Sequence, residues 1–231
     1  MNPTNIEWAD WTWNPVTGCL NGCPYCYARD LAEGRLARIY GADGRPPFAP
    51  RFWPERLDAP AKKKKPGIVF ICSMGELLGD CVPWDWIKQI FEAMSTAPWH
   101  RYVLLTKNPK RLAQMAHDNQ LWYLDSPNII VGSSLTTDGM YKIHRKGVRV
   151  LWSVEPMTEP LSPSAVPDYL SWLLIGGRSA AGGLPAFKPP QEWIDPLVEW
   201  AREHGIPVLV KRNAGYPQVV EEFPEGWRDW Q

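Results

Sequence analysis

The chain has 231 residues, and 45% of them are hydrophobic, which is enough to bury one substantial core. Its 25 basic and 25 acidic side chains balance, so no overall field attracts it to nucleic acid or to an anionic membrane. The first residues lack the basic and apolar stretches of a secretory signal, and no apolar run approaches the roughly 20 residues of a membrane helix. We therefore expect one domain over residues 1–231, located in the cytoplasm, with no membrane contact.

In chain order, the first segments are short. Trp8, Trp11 and Trp13 lie too close to a proline to belong to a helix, and we expect them to pack over one end of the core. A platform on which nucleic-acid bases stack is the alternative. Residues 16–17 are predicted to be the first strand of the sheet, running directly into a cysteine-rich loop. Residues 27–40 are strong helix formers with leucines on one face, which predicts the first helix.

Residues 41–66 form a Pro/Lys-rich loop, in which the lysine run 62–65 is interpreted as solvated, with phosphate contact as the alternative. Beyond this loop, apolar runs of strand length alternate with helical stretches. The predicted strands are residues 67–73, 101–106, 128–132, 148–154, 172–175 and 206–210. The predicted helices are residues 84–97, 109–119, 139–146 and 190–204. Residues 215–231 are predicted to be a C-terminal tail that crosses the surface and covers an open edge.

This alternation predicts an α/β fold with right-handed parallel crossovers. A full eightfold barrel takes about 250 residues, whereas this shorter chain offers seven strand candidates. We therefore expect a partial (β/α)6-7 TIM-like barrel. In such a fold all strands open their carboxyl ends on one face, so the side chains that follow the strands meet at one mouth.

Three of the five cysteines, Cys19, Cys23 and Cys26, lie within eight residues of one another. Thiolates are soft ligands, and three on one loop can bind three irons of a cubane cluster while the fourth iron stays open to a non-protein ligand. A closed zinc site needs a fourth protein ligand, and no second cysteine pair follows at the spacing of a zinc finger. A zinc knuckle and buried free thiols are the alternatives. An odd number of cysteines also fits a reducing compartment.

Every predicted strand ends in polar or glycine residues. These residues are, in strand order, Cys19; Ser73, Gly75 and Glu76; Lys107; Ser133 and Ser134; Ser153 and Glu155; Gly176, Gly177 and Arg178; and Lys211 and Arg212. The four cations of this set would make one rim of the mouth positive and would attract an anionic substrate group. Glu155 lies among these cations and could pair with one of them or act as an acid or base.

The spacing Cys-x3-Cys-x2-Cys, with an aromatic residue before the last cysteine, resembles the signature of radical S-adenosylmethionine (SAM) enzymes. More narrowly, the chain is similar to a family of phage-associated and bacterial radical-SAM-like proteins of largely unknown function, itself distantly similar to spore photoproduct lyase. The stretches that carry this resemblance span nearly all of the chain. They are residues 6–8, 13–19, 52–57, 105–107, 152–156 and 174–177.

The resemblance implies a partial barrel of the radical SAM type, with a [4Fe-4S] cluster on the three loop cysteines and SAM on the open iron. Gly75 and Glu76, preceded by Ser73, stand where such enzymes hold the SAM amino group, although Met74 replaces an expected glycine. Further SAM contacts are implied for the adenine, the ribose or the carboxylate. They fall on Tyr25, Ser133, Ser134, Gly176 and Gly177.

The implied reaction begins with an electron from an external flavodoxin- or ferredoxin-type donor, which enters the cluster. SAM is then cleaved to methionine and a 5′-deoxyadenosyl radical that abstracts a substrate hydrogen. The expected substrate is anionic, a nucleobase, nucleotide or nucleic acid, and the expected catalytic residues are Lys107, Glu155, Arg178 and Lys211. The alternative is a non-enzymatic nucleic-acid or protein-binding module with a structural metal site. Cys72 is interpreted as a core thiol, and Cys81 as either a surface thiol or a hydrogen-atom donor.

Overall fold

The computed structural model describes residues 1–117, 122–134, 147–167 and 169–229, with the side chains of residues 122 and 123 excepted. Its ten strands are β1 Asn2–Pro3, β2 Trp11–Trp13, β3 Val16–Thr17, β4 Arg51–Phe52, β5 Ile68–Ile71, β6 Arg101–Thr106, β7 Ile129–Ser134, β8 Arg149–Val154, β9 Trp172–Ile175 and β10 Val208–Val210. Eight of them form one sheet in the order β1-β2-β5-β6-β7-β8-β9-β10. All neighbours in this sheet are parallel except β1 and β2, and β3 pairs with β4 separately.

Six α-helices accompany the strands in the described residues. They are α1 Tyr27–Glu33, α2 Ala37–Tyr40, α3 Ala59–Lys62, α4 Trp84–Ser95, α5 Pro109–His117 and α6 Gln191–Glu203. The buried residues of α4, which are Ile87, Ile90, Phe91 and Met94, recur at the spacing of one helical face. No described helix is both long enough and apolar enough to cross a membrane.

The α/β architecture and the six predicted strands from residue 67 onward are confirmed as β5 to β10. The predicted strand at residues 16–17 is confirmed as β3, but it is not the first strand of the main sheet, because β3 pairs with β4 in a separate sheet. The strand β4 lies in the stretch predicted as a loop. The parallel strand before the cysteine loop is instead β2, which pairs with β5. The predicted helix 27–40 is divided near Gly34 into α1 and α2. The predicted helix 139–146 lies outside the described residues.

The two faces of the main sheet are covered differently. One face carries the helices, and we call it the outer face and its opposite the inner face. On the outer face, side chains such as Val69, Leu104 and Val131 pack against α4, α5 and α6. The inner face carries the alternate residues of the same strands, which form a separate apolar cluster. The members of this cluster on the strands are Ile68, Val103, Ile130, Leu151, Trp172, Leu174 and Leu209.

Three tryptophans fill the inner face near the amino ends of the strands. Trp8, Trp172 and Trp227 are at most 2% exposed, and the Trp172 ring centre lies 6.2 Å from that of Trp8 and 6.3 Å from that of Trp227. Trp8 precedes the first parallel strand and Trp227 follows the last one. Segments from both ends of the chain therefore close this end of the sheet.

The C-terminal tail pairs with the edge strand β10. The Val210 amide donates to the Val220 carbonyl at 2.9 Å, and the Glu222 amide donates to the Val208 carbonyl at 3.0 Å. An uncovered edge strand would leave such groups open to pairing with another chain. The tail satisfies them within the molecule.

Candidate functional site

The cysteine loop is joined by its backbone to the segment that follows β5. Gly18 and Gly75 form a parallel bridge. The Gly18 amide donates to the Met74 carbonyl at 2.9 Å, and the Glu76 amide donates to the Gly18 carbonyl at 3.1 Å. A Cβ on Gly75 would lie 2.9 Å from the Gly18 oxygen, so glycine is needed for this close approach. The segment expected to bind the cluster and the segment that the resemblance implies for SAM are therefore neighbours.

The first half of the cysteine loop rests on the loop before β4, which folds around one buried arginine. The Cys19 amide donates to the Phe48 carbonyl at 3.2 Å. Arg51 is 3% exposed, and its guanidinium donates to Asp43 at 2.8 and 3.1 Å and to carbonyls of its own loop. Hydrogen bonds from Arg51 and then Arg45 hold the pKa of Asp43 well below its usual range. Cys19 is thus bonded to a loop that the hydrogen bonds of Arg51 hold in place.

The three loop thiols are free and partly exposed. Burial raises the pKa of the Cys19 thiol to about 11, with smaller contributions from the charges of Glu76, Cys23 and Cys26. Within the described ranges, no group of three or more His, Cys, Asp or Glu side chains is arranged to hold a metal ion. The donors fit an iron–sulfur cluster by number and chemistry, because such a cluster takes one thiolate at each of several irons.

Glu76 holds the ends of two neighbouring strands together. Its carboxylate accepts hydrogen bonds from the Thr106 hydroxyl at 2.7 Å, from the Lys107 amide at 2.8 Å and from the Leu78 amide at 3.0 Å. Burial raises the pKa of Glu76, and these hydrogen bonds oppose the rise. With a side chain that is 6% exposed, Glu76 is engaged in joining the segment after β5 to the end of β6. Its contact with the SAM amino group stays a prediction.

On the other side of the mouth, Glu155 and Lys211 form an ion pair. The Lys211 ammonium contacts Oε1 of Glu155, and the two side chains are 26% exposed for Glu155 and 16% for Lys211. The Asn213 amide nitrogen lies 3.4 Å from the same oxygen. A Cβ on Gly176 would lie 2.9 Å from the Glu155 carboxyl carbon, so glycine at this position leaves room for the acid. An acid and a base thus meet at the ends of β8 and β10.

A cavity of about 330 Å³ opens beside this ion pair. Residues 4–7 line one side of it, and Ser179, Lys211 and Asn213 line the other. The carboxylate of Glu7, in the first wall, accepts the Arg212 amide at 2.8 Å. A ligand in this cavity would therefore meet both a lysine and a carboxylate.

A model of the family described as "Protein of unknown function (DUF5131)" matches residues 3–223, nearly the whole chain. The chain belongs to this family. No curated protein and no solved structure matches it. Family membership therefore supplies no activity, and the site of this DUF5131 protein has to be judged from its own residues.

The four cations that the sequence predicts for one rim of this DUF5131 protein have different neighbours. The Lys107 ammonium lies 5.7 Å from the centre of the Tyr25 ring, next to the cysteine loop. Lys211 lines the cavity on the other side of the mouth. The order of the strands in the sequence does not reveal which groups the two lysine side chains contact, because these contacts depend on the loop that follows each strand.

The two arginines predicted for the same rim are engaged elsewhere. The Arg178 guanidinium donates to the Pro185 carbonyl at 3.1 Å, within its own hairpin. The Arg212 side chain is 82% exposed and lies 3.5 Å from Glu221. Close packing also explains Gly177, since a Cβ there would lie 2.5 Å from the Phe187 oxygen. Catalytic contact by Arg178 has no support in this geometry.

Ser133 and Ser134 are the last two residues of β7 and lie on opposite faces. By strand alternation Ser133 shares the outer face with Val131, and it is 1% exposed. Ser134 shares the inner face with Ile130. Of the two predicted SAM contacts, only Ser134 is oriented toward the inner side of the sheet.

Two side chains at the mouth were missed by the sequence analysis. The Tyr27 hydroxyl donates to the Ser73 carbonyl at 2.7 Å. The Tyr27 side chain is 47% exposed overall, yet burial of its hydroxyl raises its pKa, and the charge of Glu155 adds to the rise. The Asn14 side-chain oxygen accepts the Met74 amide at 2.9 Å and lies 3.3 Å from the Ser73 hydroxyl. The only signal was that both residues flank the cysteine motif.

The remaining cysteines lie outside the loop. Cys72 is buried, and burial raises its pKa to about 12. It has a positive φ of 58°, and its amide donates to the Trp13 carbonyl at 2.8 Å. These features agree with the interpretation of Cys72 as a core thiol. Cys81 is exposed, and a role as hydrogen-atom donor stays a prediction.

Proposed function

We propose that this DUF5131 protein is a radical SAM enzyme that binds a [4Fe-4S] cluster through Cys19, Cys23 and Cys26. One observation carries the proposal. The pairing of Gly18 with Gly75 sets the three-cysteine loop beside the expected SAM segment, at the carboxyl ends of parallel strands. Barrel enzymes place their chemistry at these ends.

The proposed fold is a partial barrel of the radical SAM type. Its parallel strands follow the chain order without reversal, and α4, α5 and α6 cover the same face. A doubly wound sheet reverses its strand order and carries helices on both faces. These features favour the barrel.

When bound, the cluster and SAM would supply a 5′-deoxyadenosyl radical after reduction by an external flavodoxin- or ferredoxin-type donor. The residues of the chain bind and orient the reactants. Tyr25, whose ring has the Lys107 ammonium over it, would border the adenine of bound SAM. Ser134 lies on the inner face, where it can donate to or accept from ribose. The Glu76 side chain and Thr106 hold the segment that contains Gly75 at the end of β6, and the Glu76 amide joins this segment to the cysteine loop through Gly18.

The Lys211–Glu155 pair is proposed to bind the substrate and to exchange a proton with it at Lys211 Nζ or Glu155 Oε1. Asn213 orients the acid. The substrate is proposed to be a nucleobase, a nucleotide or a strand of nucleic acid that reaches the cavity with one polar group. Because the charges of the chain balance, tight binding of a duplex would need a partner.

The test is anaerobic reconstitution with iron and sulfide. Wild type is expected to hold about four irons, and alanine at Cys19, Cys23 or Cys26 to abolish the cluster. Cys81→Ala is the matched control, since its thiol is exposed and outside the loop. Zinc at one equivalent in anaerobically purified protein, with no iron after reconstitution, would support the non-enzymatic module with a structural metal site instead.

The enzymatic step is tested by 5′-deoxyadenosine formation in the reduced protein. Nucleotides, oligonucleotides and a metabolite extract are added in turn, and the addition that stimulates wild type is repeated with Lys211→Ala. We expect Lys211→Ala to keep its cluster and slow uncoupled SAM cleavage but to lose the stimulation. Equal stimulation in wild type and variant would remove Lys211 from substrate binding.

A further inference from the structure

A β-hairpin leaves the carboxyl end of β9 and spans Arg178 to Phe187. Arg178 and Phe187 exchange backbone hydrogen bonds of 2.9 and 2.8 Å. Nearer the tip, Ala181 and Leu184 form a second antiparallel bridge. The two residues between them, Gly182 and Gly183, have φ angles of +61° and +76°. Two left-handed residues form the tight turn that matches the twist of a hairpin, and this explains both glycines.

The tip of this hairpin touches the second half of the cysteine loop. The Gly182 amide donates to Oδ2 of Asp30 at 2.7 Å, across 152 positions of sequence. A Cβ on Gly182 would lie 1.8 Å from the Pro24 oxygen, a distance that no side chain could occupy. Pro24 stands between Cys23 and Cys26, and Asp30 lies in the helix that begins just after them. The contact therefore falls on the stretch that carries two of the three thiols.

The two halves of the cysteine loop have different supports. The first half is fixed by the bridge between Gly18 and Gly75 and by the hydrogen bond from Cys19 to Phe48. The second half receives the hairpin tip. The base of the hairpin begins beside Asn213, whose amide donates to the Gly177 carbonyl at 2.9 Å. One element thus connects the Lys211–Glu155 side of the mouth with the cysteine loop.

We propose that the Gly182 tip is a clamp that positions Cys23 and Cys26 and covers them from solvent. Gly182 and Asp30 are positioning residues, since they act through Pro24 and the start of α1 and do not touch the reacting atoms. Only the effect of the clamp on iron binding rests on the proposed function. Its effect on the thiols can be measured in metal-free protein.

The chain offers a matched pair of variants. Gly182→Ala and Gly183→Ala both place a Cβ on a left-handed residue of the same turn, so they share the backbone strain. Only the Cβ at 182 meets the cysteine loop, because nothing lies within 4 Å of a Cβ at 183. Any difference between the two variants therefore reports the contact with Pro24.

The experiment measures iodoacetamide labelling of each cysteine in the metal-free protein by mass spectrometry. We expect Gly182→Ala to raise the labelling rates of Cys23 and Cys26 by about fivefold or more, and Gly183→Ala to change them by less than about twofold. Exposed Cys81 should react equally in all proteins, and buried Cys72 should stay protected. Equal rates for Cys23 and Cys26 in the two variants would overturn the clamp.

Labelling of Cys72 in Gly182→Ala would show that the variant unfolds. In that case the clamp is tested by cysteine labelling of Asp30→Ala and Asp30→Asn. Asparagine keeps an oxygen that can accept the Gly182 amide, whereas alanine does not. The clamp predicts faster labelling of Cys23 and Cys26 in Asp30→Ala alone, and equal labelling in both variants rejects it.

A second readout follows the reconstituted protein. Gly182→Ala should release iron to a chelator several-fold faster than Gly183→Ala and should change the EPR spectrum of the reduced protein. If wild type takes up no iron, the proposed function fails while the thiol rates still decide the clamp. If wild type holds iron and both variants release it at the same rate, the clamp has no role at the cluster.

Discussion

At the amino ends of the parallel strands, three tryptophans pack on the inner face of the sheet, whereas carboxylates, lysines and glycines lie at the carboxyl ends. Trp172 is fully buried, while Glu155 and Lys211 at the other end keep part of their surface in contact with solvent. Apolar burial is the main source of stability, and a buried charge needs a partner. Apolar packing at the amino end therefore stabilises the fold, and the carboxyl end can hold charged side chains that remain partly exposed.

The largest expected effect is at the amino end. Trp172→Ala removes a buried ring that packs on Trp8, Phe223 and Trp227, and should lower the free energy of unfolding by about 3–5 kcal/mol. Urea denaturation of the metal-free protein measures it. Trp172→Phe, which keeps a ring and loses the hydrogen bond to the Glu222 carbonyl, should cost less. A loss below about 1 kcal/mol for the alanine variant would show that tryptophan packing at the amino end is not a main source of stability.

An intermediate effect is expected from Glu76, a buried acid at the carboxyl end of the strands. In Glu76→Gln, one oxygen is replaced by an amide that faces the Lys107 amide or the Thr106 hydroxyl, so a donor loses its acceptor. We expect a loss of about 1–3 kcal/mol, measured in urea. Thr106→Val should show part of this loss in the free energy of unfolding. Thr106→Ser keeps the hydroxyl, so its free energy of unfolding should stay close to that of wild type. If the free energy of unfolding of Glu76→Gln equals that of wild type, the hydrogen bonds of Glu76 do not stabilise the fold.

A smaller effect is expected for the ion pair at the mouth. Lys211→Met and Glu155→Gln should each lower the free energy of unfolding by about 1–2 kcal/mol, because each leaves the other charge without its partner at a site that is mostly buried. The double variant measures their coupling, which should be of the same size. A coupling of several kcal/mol would mean that the carboxyl end stabilises the fold as strongly as the tryptophans do.

The smallest effect is expected from Asp43, which is 42% exposed beside Arg51. Its pKa is lowered in the folded protein from an ordinary value of 3.8, so its stabilising contribution is present above about pH 4 and is lost as the pH falls further. The melting temperature of wild type should exceed that of Asp43→Asn at pH 7, and the difference should shrink at pH 3. A difference that does not depend on pH would show that the charge of Asp43 is not responsible.

The strands from β5 onward could be predicted because each contains a run of three or four consecutive apolar residues. The strand β2 has only three residues, and Trp11, Thr12 and Trp13 are too few to show a period. Its role in the sheet depends on pairing with β5, which lies more than fifty residues further along the chain. Sequence patterns of short range do not contain that information.

The site shows the same limit. The cysteine loop and the Gly75-Glu76 segment could be identified because their residues are close together in the sequence. The contact between Gly182 and Asp30 spans 152 positions, and its only trace was a pair of glycines. The sequence also did not reveal that Arg178 donates to a carbonyl of its own hairpin or that Arg212 lies beside Glu221, because these partners cannot be read from strand ends.

The joining of both chain ends in one tryptophan cluster has a consequence for synthesis. Arg228 and Asp10 lie 3.3 Å apart across 218 positions, and Trp8 and Trp227 both pack in the inner cluster with Trp172. Contacts of such long range form late, since the loop between them must close first. During synthesis the inner face stays incomplete until residue 227 has emerged, and apolar strand residues that are exposed until then favour aggregation.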